Sequence, residues 1–125
     1  MSSNPSFKDM PIWQRAMGLV TEVYRLTSQL PATERLGLSA SLQQAAVGMP
    51  TFLASGSKSG RAGFRSACLA ARRHAAEVET LLLIIQQMYP AIPVDDLLAE
   101  TADIESTLTT MARRLSGDAP SPKTV

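Results

Sequence analysis

The sequence has few side chains whose type and spacing could support catalysis or metal binding, and several of them fall within residues 68–79. His74 and Glu77 are three residues apart, which is the helical spacing used by carboxylate-bridged metal bundles. Such a site needs a second His–Glu pair and further carboxylates that point inward, and His74 is the only histidine. We therefore expect His74 to be a surface or interface residue beside a glutamate. A metal-dependent enzyme that uses His74, Glu77 and Glu79 is the least favoured hypothesis.

The remaining candidates for acid–base or nucleophilic chemistry are also better explained by structure. Glu77 and Glu79 are two residues apart, so on a helix they point about 200° apart and cannot share a proton. Glu77 can instead pair with Arg73, whereas the role of Glu79 stays open. Cys68 falls on an apolar helix face, away from His74, so we expect a small core residue rather than a nucleophile. The sequence predicts no catalytic residue, no metal and no cofactor.

A group of basic residues is the strongest candidate for a binding site. Arg61, Arg65 and Arg72 are spaced so that they share one side of a helix, and Lys58 lies in the turn that precedes it. The structural interpretation is a solvated helix face. The functional interpretation is a patch that binds the phosphate backbone of RNA or DNA. Aromatic residues do not alternate with these cations, so stacking on single-stranded bases is not indicated.

Apolar residues recur at helical spacing along most of the chain, and Pro and Gly residues interrupt the pattern between helices. In the predicted helices 1, 2 and 3, the N-cap residues are Asp9, Ser39 and Ser59. Four predicted helices follow, separated by short connectors: Met10 to Gln29, Ser39 to Gly56, Gly60 to Tyr89, and Pro93 to about residue 116.

Four amphipathic helices with short connectors predict an all-α fold, an antiparallel up-and-down four-helix bundle over residues 9–116. Polar residues 1–8 and 117–125 are expected to be disordered. Helix 3 carries more apolar residues than one buried face needs, which indicates an interface with another molecule. The residues of this surplus apolar edge are Leu69, Ala76, Leu83 and Ile84.

Composition limits the class of protein. The 125 residues are 45% hydrophobic and 18% charged, which is typical of one globular domain. The formal net charge is +1, so a nucleic acid would have to bind a local patch. One cysteine, no signal-peptide pattern and no apolar run near the roughly 20 residues of a membrane span predict a cytoplasmic protein with no membrane contact.

Many dispersed positions between about residues 7 and 115 resemble one known family. The opening segment, FKDMPIWQRA at residues 7–16, is similar to the opening of that family. The other positions that follow in the family's register are Tyr24, Leu30-Pro31, Glu34-Arg35, Gly37-Leu38, Gln43, Ala45-Ala46-Val47, Pro50, Ala54, Gly56, Phe64, Ala71-Arg72, Glu77 and Glu79. The chain resembles the four-helix-bundle proteins encoded in intervening sequences of bacterial 23S ribosomal RNA genes, whose relatives include the accessory protein of diversity-generating retroelements.

The resemblance implies a closed antiparallel bundle that assembles as a homopentamer and has no known enzymatic activity. It therefore implies a non-enzymatic homo-oligomeric scaffold, whose first partner is a further copy of itself. In the retroelement branch a basic surface binds nucleic acid and a reverse transcriptase. The alternative hypothesis is accordingly a nucleic-acid or ribonucleoprotein accessory protein that uses Lys58, Arg61, Arg65 and Arg72.

The sequence departs from the family pattern at several polar positions. Where the family usually reads S-N-I-A-E-G after the proline, this chain reads TFLASG, with Phe52 in place of Asn and Ser55 in place of Glu. Gln44 replaces the usual Arg before Ala45. Arg73-His74 replaces a small Gly-Ser pair.

Overall fold

Four α-helices form the whole folded unit in the computed structural model, which describes residues 6–116. No strand occurs among these residues. A short 3-10 turn at Phe7–Asp9 precedes the first helix, and a second, Ala32–Glu34, lies in the first connector. The helices are α1 (Pro11–Thr27), α2 (Leu38–Gly56), α3 (Gly60–Met88) and α4 (Asp95–Arg114). The prediction of an all-α fold built from four helices is confirmed.

The helices surround one hydrophobic core. Each helix packs against two neighbours: α2 against α1 and α3, and α4 against α3 and α1. The backbones of α1 and α3 lie diagonally opposite each other and are not in close contact, and the same holds for α2 and α4. The large side chains that are fully buried in this core are Leu19, Val23, Leu42, Met49, Leu53, Val78, Leu82, Ile85, Ile104 and Leu108. Every helix contributes to this set, so detachment of any one helix from the bundle would expose core side chains to water.

Helical spacing in the sequence identified the buried faces correctly. On α3, the predicted stripe from Ala67 through Ala71, Ala75 and Val78 to Ile85 is buried, and Phe64 and Tyr89 at its ends are partly buried. The spacing works because residues three and four apart share one side of a helix.

Of the three predicted N-cap residues, only Ser59 occupies its cap position, and its side chain makes no cap hydrogen bond. Met10, not Asp9, occupies the cap position of α1, and it makes no side-chain cap. Ser39 is buried inside α2, one residue after that helix begins. Ser59 does precede α3, but its hydroxyl donates to the Ser55 carbonyl at 3.2 Å instead of accepting a hydrogen bond from α3. A cap depends on the path by which the chain enters a helix, and residue type alone does not determine that path.

The structure tests only part of the predicted disorder at the two ends of the chain. Phe7 and Lys8, which the sequence placed in a frayed segment, lie in the 3-10 turn, and the Phe7 ring packs edge-on against Trp13 with ring centroids 5.3 Å apart. The predicted disorder of residues 1–5 and of 117–125 lies outside the described residues.

A carboxylate at the start of α2 connects it with the end of α3. Glu34 accepts a hydrogen bond from the backbone N–H of Leu38 at 3.2 Å and another from the Tyr89 hydroxyl at 2.6 Å. The hydrogen bond from Tyr89 lowers the pKa of Glu34, and the same bond raises the pKa of Tyr89. Glu34 therefore supplies the cap of α2 that the sequence had assigned to Ser39.

Two glycines of α2 allow it to lie close to α3. A Cβ added at Gly56 would lie 2.2 Å from the Cβ of Ala67, and one added at Gly48 would lie 2.7 Å from the His74 ring. Both distances are shorter than a van der Waals contact, so Gly56 accepts only glycine at the present helix separation, and a side chain at Gly48 would require the His74 ring to move. Gly18, on the exposed side of α1, has open space around it.

We expect opposite effects from alanine at Gly56 and at Gly18. Gly56→Ala should destabilise the fold by about 1–3 kcal/mol, because α2 and α3 must separate to admit the methyl group. Gly18→Ala should stabilise it by about 0.5–1 kcal/mol, because alanine loses less backbone entropy in a helix. Urea unfolding followed by circular dichroism measures both free energies. Equal stability of the Gly56→Ala protein and the unmodified protein would contradict the close packing described above.

Candidate functional site

The predicted basic stripe of α3 lies against α4. Arg61 donates a hydrogen bond to the backbone carbonyl of Arg114 at 2.9 Å, and Arg65 donates one to the carbonyl of Ala112 at 3.1 Å. About two turns further along, Arg72 donates to the Thr109 hydroxyl at 3.3 Å. The structure therefore brings the three arginines to one side of α3, as the spacing predicted, but that side is turned toward a neighbouring helix.

These contacts complete the hydrogen bonding at the carboxyl end of α4. A helix leaves its last four carbonyl groups without partners inside the helix. The Leu115 and Ser116 N–H groups satisfy the carbonyls of residues 111 and 113. The two carbonyls that remain, at residues 112 and 114, are the ones that accept from Arg65 and Arg61. Positive charge at this position also complements the partial negative charge at a helix carboxyl end.

Lys58 differs from Arg61 and Arg65 because it donates no hydrogen bond to the carboxyl end of α4. Its ammonium lies 5.9 Å from the centre of the Phe7 ring, near the outer limit of a cation–π contact, and the side chain is exposed. Within residues 6–116, neither Lys58 nor Arg61 forms an ion pair with a carboxylate. Arg113 and Arg114 lie in the last turn of α4, beside Arg61. This end of the molecule therefore concentrates positive charge on a protein with a net charge of only +1.

The four residues of the predicted interface edge do not share one environment. Leu69 is partly buried and packs against the core, so it contributes to the bundle itself. Ala76, Leu83 and Ile84 are exposed, with 46% of Leu83 and 37% of Ile84 accessible to solvent. Met88, one turn beyond Ile84, is 55% exposed. The carboxyl-terminal half of α3 thus presents large apolar side chains to solvent.

His74 lies in a slot between α2 and α3. Its ring rests over Gly48 and packs against Phe52, with ring centroids 5.2 Å apart. Nδ1 is shielded from solvent and lies 3.2 Å from a carboxylate oxygen of Glu77, but the orientation does not make a hydrogen bond. Glu77 therefore approaches His74, not Arg73 as the sequence suggested.

The slot belongs to an open groove of about 630 Å³ that Gln44 and Glu77 also line. Gln44, Phe52 and His74 are three of the positions where the sequence departs from the family pattern, and the fold places them together. Sequence analysis identified each of them but not their proximity. Gln44, Gly48 and Phe52 are four residues apart along α2, and that spacing was the signal that could have revealed a common face.

The remaining candidates for nucleophilic or metal chemistry do not form a reactive site in the described residues. Cys68 is buried, and burial raises the pKa of its thiol, so the reactive thiolate is disfavoured. Among residues 6–116, His, Cys, Asp and Glu side chains form no group of three that could hold a metal ion. In the same part of the chain, each helix is too short or too polar to cross a lipid bilayer.

The arrangement of four helices around one core, without strands in the described residues, defines an all-α four-helix-bundle protein. A family model, described as 23S rRNA-intervening sequence protein, matches residues 8–110. The chain belongs to this family, as the resemblance of its dispersed positions had indicated. No curated protein matches the sequence.

The capping role of Arg65 predicts a loss of stability when its charge and donors are removed. Arg65→Met should destabilise the fold by about 1–2 kcal/mol, because the Ala112 carbonyl loses a charged donor at a helix end. Arg73→Met is the matched control: Arg73 is an exposed arginine on the same helix without a hydrogen bond or ion pair in the described residues. It should stay within about 0.5 kcal/mol of the unmodified protein. Equal losses in the two variants, measured by urea unfolding, would show that Arg65 is an ordinary surface residue.

Proposed function

We propose that the protein is a non-enzymatic interaction scaffold that assembles as a homopentamer in the cytoplasm. The observation that carries this proposal is the exposed apolar surface of α3, at Leu83, Ile84 and Met88. Large apolar side chains that a monomer leaves in water are stabilised when a second surface covers them. The number of five subunits comes from the family resemblance. Within each subunit we propose an antiparallel up-and-down bundle.

Contacts between helices support that arrangement of the bundle. Gly56, at the end of α2, lies against Ala67 near the start of α3, whereas Gly48 lies against His74 further along α3. Residues that come earlier in α2 therefore meet residues that come later in α3. The corresponding relation between α3 and α4 appears in Arg61 with Arg114 and Arg72 with Thr109.

A scaffold without chemistry of its own agrees with how the reactive side chains are used. Cys68 is in the core, His74 is packed between two helices, and Arg65 caps α4. These positions favour structural roles for the three side chains. With these side chains in structural roles, we propose that the protein acts by binding at its surface.

The assembly can be tested by size-exclusion chromatography with light scattering at micromolar concentration. We expect a mass of about five times the 13.4 kDa chain. Leu83→Lys combined with Ile84→Lys should reduce the mass to that of a monomer, because charges would be buried without partners. Leu36→Lys is the control, since Leu36 is 91% exposed in the connector before α2, and it should leave the mass unchanged. A strictly monomeric unmodified protein would overturn the proposal.

A nucleic-acid accessory role is the second candidate, in which a positively charged end of the bundle binds RNA, DNA or a nucleic-acid enzyme. Lys58, Arg61, Arg113 and Arg114 favour it, because they lie at one end and a pentamer would present them five times. Arg61 and Arg65 already serve α4, so Lys58 is the cation most available to a phosphate.

Binding to a short RNA duplex at two salt concentrations tests this role. Affinity should fall steeply as salt rises, and Lys58→Gln should lower both the affinity and the salt dependence. Arg73→Gln, which removes an equal charge elsewhere on α3, should have a smaller effect. Absence of binding at low salt would exclude the nucleic-acid role and leave the scaffold proposal intact.

A further inference from the structure

A cleft of about 610 Å³ opens at the end of the bundle where α3 begins. Three separate parts of the chain build it: the segment around the 3-10 turn at Phe7–Asp9, the turn between α2 and α3 together with the start of α3, and Leu115 after α4. Since these parts are distant in sequence, the cleft exists only in the folded protein. No residue pattern in the sequence had indicated it.

The floor of the cleft is apolar. Phe7, Met10, Phe64 and Leu115 line it, and each is partly buried. Met10, Phe64 and Leu115 pack against the main core, while Phe7 packs against Trp13. The floor is thus held in place by contacts below it, and its upper surface remains accessible. An apolar group that entered the cleft would remove this surface from water.

The rim of the cleft carries two positive charges that pair with no carboxylate of residues 6–116. Lys58 and Arg61 both line it. Arg61 uses one nitrogen for the Arg114 carbonyl, which leaves its other donors available, and Lys58 contacts only the Phe7 ring. In residues 6–116 no carboxylate pairs with either side chain. Two cations beside an apolar floor favour a ligand that joins a negative charge to an apolar body.

We propose that this cleft binds an organic carboxylate that carries an apolar group. The carboxylate accepts hydrogen bonds from Lys58 and Arg61, and the apolar group covers Phe7, Phe64 and Leu115. Inorganic phosphate, or the sugar-phosphate backbone of a nucleic acid, would use the cations and leave the floor in water. The site lies within one protomer, so the proposal goes beyond the scaffold function and does not depend on assembly.

Octanoate is a suitable probe, because it joins one carboxylate to a flexible apolar chain. Titration into the unmodified protein is followed by calorimetry and by the emission of Trp13, the only tryptophan, whose ring contacts Phe7 at the cleft. Octanoate should bind at a single site per chain. Octanol, octylammonium and inorganic phosphate should each bind at least about tenfold more weakly, because each lacks the charge, its sign or the apolar body. Absence of octanoate binding, or equal binding of any of the three, overturns the proposal.

Single substitutions locate the binding. Lys58→Met should weaken octanoate binding about tenfold, which is the effect expected when one charged donor is lost. Arg73→Met, which removes the same charge outside the cleft, should leave binding unchanged. Lys58 is exposed and makes no cap, so its variant should keep the melting temperature of the unmodified protein. Unchanged octanoate binding in Lys58→Met would overturn the assignment.

Two sources could supply the carboxylate, and a further pair of titrations distinguishes them. A short peptide that ends in a free leucine carboxylate is compared with the same peptide as its amide. Binding of the acid alone assigns the cleft to a chain terminus as well as to small molecules. Failure of both peptides, with octanoate still bound, assigns it to small carboxylates. The RNA titration and the mass measurement described above do not involve octanoate, so their failure is distinct from failure here.

Discussion

The close approach of α2 and α3 is the constraint on which the rest of the structure depends. α2 and α3 form the most extensive helix pair, and Gly56 allows the backbone of α2 to reach Ala67 where the chain turns back. This contact fixes where α3 starts. The start of α3 in turn decides that Arg61 and Arg65 meet the last carbonyls of α4. A larger residue at position 56 would displace the arginines, the cap and the wall of the cleft together.

Sequence analysis predicted the buried faces of the helices and missed the polar contacts between them. The periodicity of Ala71, Ala75 and Val78 depends only on helix geometry, so a single segment reveals it. Glu34 caps α2 from only four residues before Leu38, but its carboxylate also accepts a hydrogen bond from Tyr89, which is 55 residues away along the chain. Capping rules search for a residue such as Ser39 at the helix start and do not anticipate a carboxylate in the preceding turn. Long-range hydrogen bonds leave no local pattern in one sequence.

The arginines of α3 show why a basic stripe is weak evidence for nucleic-acid binding. Their spacing correctly predicted that they share one side of α3, but spacing does not determine whether that side faces solvent or another helix. An arginine that donates to a helix carboxyl end satisfies a carbonyl and complements the helix dipole, so selection for stability alone produces the same pattern. The distinguishing property is whether a cation retains free donors after folding. By that criterion Lys58 and the remaining donors of exposed Arg61 are available, whereas Arg65 is partly buried where it donates to Ala112.

The departures from the family pattern are coupled through space. His74 occupies a position where the family has a small residue, and its ring fits only because Gly48 lies beneath it. Phe52, in place of a usual asparagine, packs against that ring, and Gln44 lines the same groove in place of an arginine. The result is an aromatic pair, Phe52 and His74, that spans α2 and α3. Phe52 and Gly48 both contact the His74 ring, so a substitution at either position changes how that ring packs between α2 and α3.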